Sequence, residues 1–272
     1  MSWLLTLIAA YLLVLAFVWW GQERLLFAPA KLAPDHRFDL GADVHETWVP
    51  LADARLHALH LRLPKPRGVV FYLHGNAGNL QGWFTSADFY RQANFDLFML
   101  DYRGYGKSSG RITSQAQLEA DVRAAWDFLA AHYEGVQIEG VQITRVVFGR
   151  SLGTGLATGL AAQVQPELTV LVSPYESMAA LAAHHYPWVP AALLRYPLRS
   201  DLALPRIKTP VWLAHGELDT LIPVQHAQRL SQRMPAITLV QVPGAGHNDV
   251  HLFEPYLQGL RRALAATSAP RS

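Results

Sequence analysis

The chain has 272 residues, of which 23 are Lys or Arg and 21 are Asp or Glu, and it contains no cysteine. This length is sufficient for one large domain with a sizeable core and does not require two. The balanced charge, without a Lys/Arg stripe, argues against a nucleic-acid-binding protein, and the lack of cysteine excludes disulfides, thiol catalysis and cysteine-based zinc sites.

The N-terminal segment differs in composition from the rest of the chain. No charged residue occurs between Trp3 and Trp20, and apolar side chains fill nearly every position. That length approaches the ~20 residues that cross a bilayer core, and tryptophans at both ends suit the two interfaces. We therefore predict a retained single-pass membrane anchor over residues 1–22, followed by one folded domain over residues 23–266.

Two alternatives to the anchor are a cleaved signal peptide and a buried core helix. A signal peptide would need a basic residue before the apolar run, and none is present; a helix that is apolar on all sides fits poorly on a soluble domain. Arg24, Lys31 and Arg37 follow the predicted span. This charge bias predicts that the folded domain lies on the cytoplasmic side of the membrane.

Beyond the anchor, strand-like and helix-like segments alternate. An antiparallel pair of strands is predicted at 44–49 and 54–63. Six continuous apolar runs, typical of strands buried on both faces of a mainly parallel sheet, follow at 69–73, 95–100, 146–148, 168–172, 211–213 and 237–242. The clearest amphipathic helix is predicted at 114–133. The alternation predicts an α/β fold, a three-layer sandwich in one domain.

The most informative motif is Gly149-Arg150-Ser151-Leu152-Gly153, which lies between a predicted strand and a Gly/Ala-rich helix. A tight strand-to-helix turn pushes the serine hydroxyl out of the top of the sheet. Small residues are needed two positions before and after the serine because the backbones approach closely there. The motif predicts Ser151 as a nucleophile, and a serine at this position disfavours the aspartate-nucleophile dehalogenases.

A serine hydroxyl needs a general base and a carboxylate that orients this base. On a parallel sheet these groups come from the carboxyl ends of later strands. Asp219 follows the strand at 211–213, and His247 lies in a Gly-rich loop after the last strand; Glu217 is the alternative to Asp219. The spacing of His247 and His251 lacks the glutamate of a zinc-protease motif, so we predict no metal site.

The segment 74–79 ends the first buried strand and is predicted to supply an oxyanion hole. The backbone amide of Asn76 or Ala77, together with that of Leu152 beside the nucleophile, is expected to meet a carbonyl oxygen as it becomes negative. His74 is predicted to organise this loop. Asp101 is predicted to be hydrogen-bonded within its own Gly-rich loop, as support for the site.

In combination, these motifs resemble the α/β-hydrolase superfamily. More narrowly, the chain is similar to single-pass, membrane-anchored serine hydrolases related to depalmitoylating and monoacylglycerol-hydrolysing enzymes. The resemblance is carried by the apolar N-terminus and the segments 24–29, 74–79, 101–110, 149–155, 215–223 and 246–247. It implies the α/β-hydrolase fold with an eight-stranded sheet, a catalytic triad of Ser151, Asp219 and His247, and no cofactor.

The segment from about 174 to 205 is rich in Pro, Tyr, Trp and Leu. We interpret it as a short lid over an apolar acyl pocket, with ordinary aromatic packing as the alternative. The expected activity is hydrolysis of carboxylic esters or thioesters near a membrane, with a small-molecule or lipid acyl ester or an acylated protein as substrate. A non-catalytic membrane-tethered scaffold is the alternative from another class, and a peptidase is the alternative among enzymes.

Overall fold

One central sheet of eight strands organises the protein. The computed structural model describes residues 2–138, 140–234 and 236–267. The strands of the sheet are β1 (Val44–Pro50), β2 (Arg55–Leu61), β3 (Gly68–Leu73), β4 (Phe95–Leu100), β5 (Thr144–Arg150), β6 (Leu168–Val172), β7 (Val211–Gly216) and β8 (Ile237–Val242).

The spatial order of the strands is β1-β2-β4-β3-β5-β6-β7-β8. Strand β2 runs antiparallel to β1 and to β4, and every other neighbouring pair in the sheet is parallel. The predicted α/β class with a mostly parallel, eight-stranded sheet is therefore confirmed. Two predicted strands are too short: β5 extends beyond 146–148 at both ends, and β7 extends beyond residue 213 and includes His215.

Helices cover both faces of the sheet. The helices of the described chain are α1 (Ser2–Trp20), α2 (Gln22–Leu26), α3 (Leu80–Trp83), α4 (Ala87–Ala93), α5 (Gln115–His132), α6 (Leu152–Val164), α7 (Met178–His185), α8 (Ser200–Ala203), α9 (Gln225–Ser231) and α10 (Glu254–Ala266), of which α1 does not pack on the sheet. Helix α5 matches the predicted amphipathic helix, and it begins where the Ser114 hydroxyl accepts a hydrogen bond from the N–H of Gln117, at 3.1 Å.

The alternation of side chains along β3 explains why there are three layers. Val69, Phe71 and Leu73 belong to a core shared with α5 and α6, whereas Val70 and Tyr72 belong to a second core shared with α4 and α10. Successive side chains of a strand point to opposite faces, so an uninterrupted apolar run fills a core on each side. The sheet is thus buried between two helical layers.

Shorter elements complete the described chain. Single turns of 3-10 helix occur at Ala191–Leu193, Leu204–Arg206 and Val250–Leu252. Two pairs of two-residue strands lie outside the main sheet: Ala28–Pro29 runs parallel to Ala77–Gly78, and Gln137–Ile138 forms a hairpin with Val141–Gln142. The first pair ties the segment after the N-terminal helices to the predicted oxyanion loop.

The N-terminal helix α1 is long and apolar enough to cross a membrane, by length and composition. None of its residues is buried. A core helix buries at least one face, whereas α1 buries none of its residues.

A buried polar chain links the neighbouring strands β2 and β4 to the end of α5. His60 on β2 donates from Nε2 to the hydroxyl of Tyr133, at 2.8 Å, and this hydroxyl donates to the carboxylate of Asp96. Burial of the imidazole, together with the nearby His132 and Arg62, lowers the pKa of His60 to about 3. The fold therefore stabilises the neutral form of His60.

This low pKa predicts a dependence of stability on pH. In the unfolded chain a histidine binds a proton below about pH 6.5, whereas folded His60 stays neutral down to about pH 3. The free energy of unfolding should therefore fall as pH drops through this window, by at most ~1.4 kcal/mol per pH unit from this residue. Urea unfolding in detergent micelles between pH 4 and 7 should show a shallower slope for His60→Gln.

The matched control is His184→Gln, which replaces an exposed histidine. This variant should keep the slope of the wild-type protein. An equal slope for wild type and His60→Gln would mean that another group carries the pH dependence.

Candidate active site

Ser151 occupies the turn between β5 and α6. Its backbone torsions are φ 52° and ψ −122°, in a region that a residue with a side chain rarely adopts. Its N–H donates to the carbonyl of Val172 at 2.9 Å, and its carbonyl accepts from the N–H and the hydroxyl of Thr154, at 2.9 and 2.7 Å. The surrounding hydrogen bonds hold this strained turn in place, as is common at functional sites.

The two glycines of the pentapeptide are required by close backbone contacts. A Cβ on Gly149 would lie 2.5 Å from the carbonyl oxygen of Gly153 and 2.6 Å from the Cβ of Ala157. A Cβ on Gly153 would lie 2.1 Å from the carbonyl oxygen of Leu73, at the end of β3. Helix α6 can therefore pack directly on the sheet only with glycine at both positions.

The structure brings the three predicted side chains together. His247 Nε2 lies 2.9 Å from the hydroxyl oxygen of Ser151, and His247 Nδ1 lies 2.7 Å from Oδ2 of Asp219. Because a carboxylate only accepts, Nδ1 carries the proton and Nε2 is free to accept the proton of the serine. Glu217, the alternative acid, is exposed on the same loop. The geometry selects Asp219.

Asp219 is held as a buried carboxylate. Its Oδ1 accepts hydrogen bonds from the N–H groups of Leu221 and Ile222, at 3.0 and 2.7 Å. Burial by itself would raise the pKa of Asp219, but hydrogen bonds from His215, His247 and the backbone outweigh it and hold this pKa well below the usual range. The carboxylate therefore remains ionised when the nearby imidazole gains a proton.

Two residues of this arrangement were missed by the sequence analysis. Buried His215 places Nε2 2.7 Å from the carbonyl oxygen of Ile222 and 3.2 Å from Oδ2 of Asp219, so it donates toward the acid. Arg150 donates to the carbonyl oxygens of Asn248 and His247, at 2.9 and 3.4 Å, and thereby fixes the loop that carries the base. Arg150 lies in the segment 149–155 and His215 in the segment 215–223, both named in the sequence analysis. Their place in these segments was the one sequence signal that could have pointed to them.

The predicted oxyanion loop lies against Ser151. A Cβ on Gly75 would be 3.6 Å from the Cβ of Ser151. His74 Nδ1 donates to the carbonyl of Gly75 at 2.7 Å, and the carbonyl of Asn76 accepts from the N–H of Ala28 at 2.9 Å and from the hydroxyl of Tyr105.

These bonds fix the directions of the amides in the loop. In a trans peptide the N–H points opposite to the C=O, so the N–H of Asn76 points away from His74 and that of Ala77 away from Tyr105. The N–H of Leu152, at the start of α6, has no acceptor within the helix. Both peptide units of the loop are thus oriented before any ligand binds.

Asp101 differs from its prediction. Its Oδ1 accepts from the N–H of Leu80 at 3.1 Å and lies 3.5 Å from His74 Nε2, so the carboxylate bridges to the neighbouring loop and is not confined to its own. Two further histidines have their hydrogen bonds elsewhere: His60 bonds to Tyr133, and His185 bonds to the carbonyl of Leu221 at 2.8 Å.

Exposed apolar side chains flank the acid on its own loop. The side chains of Leu218 and Leu221, on either side of Asp219, are 64% and 50% exposed. The end of α7 is joined to this loop through His185, so the predicted lid lies next to these leucines. Within the described residues, no cluster of three or more His, Cys, Asp or Glu side chains has the arrangement of a metal site.

Comparison with known proteins identifies the family. Residues 64–200 match the model of a hydrolase family described as serine aminopeptidase, S33. The chain belongs to this family and to the α/β-hydrolase superfamily. The expected resemblance is confirmed at that level.

The hydrolase has relatives in bacteria and animals. It is 33% identical to an uncharacterized protein of Mycobacterium tuberculosis over 94% of this chain and 91% of that protein. It is 32% identical to alpha/beta hydrolase domain-containing protein 17C of Mus musculus over 78% of this chain and 65% of that protein. The esterase Pf2001 of Pyrococcus furiosus superimposes with a TM-score of 0.71 at 19% identity, covering 90% of this chain and 98% of that one, and so shares the fold.

The glycine contacts predict the effect of a single methyl group. In Gly153→Ala the new Cβ meets a backbone carbonyl that cannot move without displacing β3, so thermal stability and ester turnover in the purified hydrolase should both fall. Gly159→Ala, in the same helix, is the matched control because nothing lies within 4 Å of its Cβ. This control should be neutral or more stable by up to ~1 kcal/mol. Equal behaviour of the two variants would contradict the packing argument.

Proposed function

We propose that the protein is a serine hydrolase that cleaves carboxylic esters or thioesters through an acyl-enzyme. The observation that carries the proposal is the continuous hydrogen-bonded chain from Asp219 through His247 to Ser151. Such a chain converts a weak hydroxyl nucleophile into a reactive one, because the base that removes its proton is already in contact and correctly oriented.

The proposed reaction has two halves. The oxygen of Ser151 attacks the acyl carbonyl while His247 Nε2 takes the hydroxyl proton, and the ionised Asp219 stabilises the imidazolium that results. The tetrahedral oxyanion is met by the N–H of Leu152 and by that of Asn76 or Ala77. Collapse breaks the bond to the alcohol or thiol, which leaves with the proton from His247. Water, deprotonated by the same histidine, then hydrolyses the acyl-enzyme and releases the carboxylic acid.

Acyl chains presented near a bilayer are the proposed substrates. The exposed leucines at 218 and 221 offer an apolar surface on the loop that carries the acid, and the lid adjoins them. An acyl group carried by a lipid, a small molecule or a protein would contact this surface. The esterase with the same fold supports an ester substrate by analogy.

The proposed location is a membrane, with α1 retained as a single-pass anchor. Support comes from its apolar length, the lack of buried residues and the tryptophans at its ends. The basic residues Arg24, Lys31 and Arg37, which follow the span, favour the cytoplasmic side for the hydrolase domain.

A peptidase is the second candidate because the matching family is described as a serine aminopeptidase. Amides have a poorer leaving group than esters, but the same nucleophile and base serve both reactions. Amino-acid p-nitroanilides, assayed in parallel with p-nitrophenyl esters, would distinguish the two activities. Failure of a serine-directed phosphonate to label the protein would instead favour a non-catalytic scaffold.

Turnover of p-nitrophenyl esters of increasing chain length tests the proposal. The wild-type protein should release p-nitrophenol with an optimum at one chain length, since the apolar surface is finite. Ser151→Ala should reduce release to the uncatalysed background, because the attacking oxygen is removed. Equal turnover by Ser151→Ala and by the wild type would contradict the assignment of Ser151 as the nucleophile.

The role of the acid is tested by a pair of conservative variants. Asp219→Asn should lower kcat by roughly two to four orders of magnitude, because an amide cannot stabilise the imidazolium and favours the wrong tautomer of His247. Glu217→Gln, an equally small change on the same loop, should leave kcat near the wild-type value because Glu217 is exposed. The reverse result would move the acid to Glu217.

A further inference from the structure

The most unusual surface of the protein is the tip of the lid, residues 186–194, called here the lid tip. Its sequence, Tyr-Pro-Trp-Val-Pro-Ala-Ala-Leu-Leu, contains no charged residue. Tyr186 is 56% exposed and Trp188 is 47% exposed. An uncharged segment that exposes large aromatic side chains marks a site of contact with another apolar phase or partner.

The lid tip lies along the N-terminal helix, and two contacts define its direction. The hydroxyl of Tyr11, near the middle of α1, donates to the carbonyl of Trp188 at 2.8 Å. The guanidinium of Arg195, which directly follows the lid tip, lies 5.3 Å from the ring centroid of Trp19, near the end of α1. At ~1.5 Å per residue, Tyr11 and Trp19 are about 12 Å apart along the helix axis.

Helix α2 fastens the base of the lid tip. Gln22, which is buried, donates to the carbonyl of Leu193 at 2.7 Å and accepts from the N–H of Arg195 at 2.8 Å. Glu23 pairs with the guanidinium of Arg195 at 2.8 Å and accepts from the hydroxyl of Tyr196 at 2.8 Å. These bonds hold Arg195, directly after the lid tip, beside the end of α1. The uncharged part around Trp188 lies beside the middle of α1.

From this arrangement we propose that the lid tip is inserted into the hydrocarbon layer of the membrane beside α1. The inference rests on the proposed role of α1 as an anchor. If Trp19 and Trp20 mark the interface, Tyr11 and the attached Trp188 lie about 12 Å deeper, within a hydrocarbon half-thickness of about 15 Å. Arg195 then remains at the interface, where a cation is tolerated.

Six of the nine backbone nitrogens of the lid tip either carry no hydrogen or donate within the protein, which lowers the cost of leaving water. Unpaired N–H and C=O groups are costly in hydrocarbon. Pro187 and Pro190 have no N–H, and α1 and α2 bind the carbonyls of Trp188 and Leu193. Further N–H groups donate to carbonyls within or next to the segment: Tyr186 to Ala182, Val189 to Tyr186, Leu193 to Pro190 and Leu194 to Ala191.

Insertion of the lid tip would determine how substrate reaches the site. Helix α7 leads directly into the lid tip, and its last residue, His185, bonds to the carbonyl of Leu221 on the loop that carries Asp219. The exposed leucines on the loop that carries Asp219 are therefore joined to a segment that we place in lipid. An acyl chain could pass from the bilayer to these leucines along the lid without crossing water.

Site-directed labelling in lipid nanodiscs tests the insertion. The full chain has no cysteine, so a single introduced cysteine can carry a nitroxide without background. Ala191→Cys reports on an exposed position of the lid tip, and Leu13→Cys reports on α1. Ala131→Cys is the matched control, because Ala131 is also an exposed alanine but lies far from the lid. The lid contacts the start of α5, where the side chain of Gln115 accepts a bond from the N–H of Leu198. Ala131 lies about 24 Å further along the same helix. A thermal unfolding curve equal to that of the wild type, followed by circular dichroism, verifies that each labelled variant is folded.

The measurement is the accessibility of the nitroxide to oxygen, which concentrates in lipid, relative to a water-soluble nickel chelate. We expect a high ratio at positions 13 and 191 and a low ratio at 131. A high ratio at 13 with a low ratio at 191 would overturn the insertion of the lid tip and leave the anchor intact. Low ratios at both 13 and 191 would overturn the anchor and, with it, the insertion. Neither outcome depends on whether the enzyme cleaves esters.

Discussion

The close packing of helix α6 against the carboxyl end of the sheet is the constraint on which the site depends. The Cα of Gly153 lies so near the carbonyl of Leu73 that no side chain fits between them. This approach forces a turn at Ser151 with φ of 52°, and the turn lifts the hydroxyl toward the loops at the top of the sheet. A more distant helix would allow a relaxed turn and a hydroxyl directed elsewhere.

The loops above the sheet are held in place by hydrogen bonds and ion pairs between buried polar groups. Asp219 accepts bonds from two backbone amides and from two histidines, so its charge is fixed in place before the base is protonated. Arg150 fixes the loop of the base through two carbonyls. Preorganised charge and dipoles reduce the reorganisation that a transition state would otherwise require, which is why a buried site can favour charge separation.

The N-terminal helices are part of the structure of the lid. Gln22 and Glu23 bind the base of the lid tip, and Tyr11 binds its far end. Ala28–Pro29 then pairs with Ala77–Gly78 in the predicted oxyanion loop. One N-terminal segment therefore contacts both the lid and the loop beside the nucleophile. The position of α1 in a bilayer would consequently set the orientation of the lid relative to the lipid.

Local patterns in the sequence were sufficient for the class of the fold and for the three side chains of the site. Uninterrupted apolar runs follow from strands buried on both faces, and the glycines of the pentapeptide follow from a close backbone approach; both are local requirements. The meeting of Ser151, Asp219 and His247 follows from parallel strands that place their carboxyl ends at one edge of the sheet. The antiparallel pair at the start of the sheet and the helix at 115–132 were predictable because the periodicity of apolar residues is also a local pattern.

Only the tertiary structure determines which polar residues that are far apart in the sequence contact one another. The place of Asp219 in its loop favours it over Glu217, but its contact with His247 exists only in the tertiary structure. His215, Arg150 and the bridge from Asp101 to Leu80 depend on distances between loops that no local spacing encodes. The contact of Tyr11 with Trp188 joins positions 177 residues apart. Local sequence sets the preferences of each segment, whereas the partners of polar side chains are set by the packing of segments against one another.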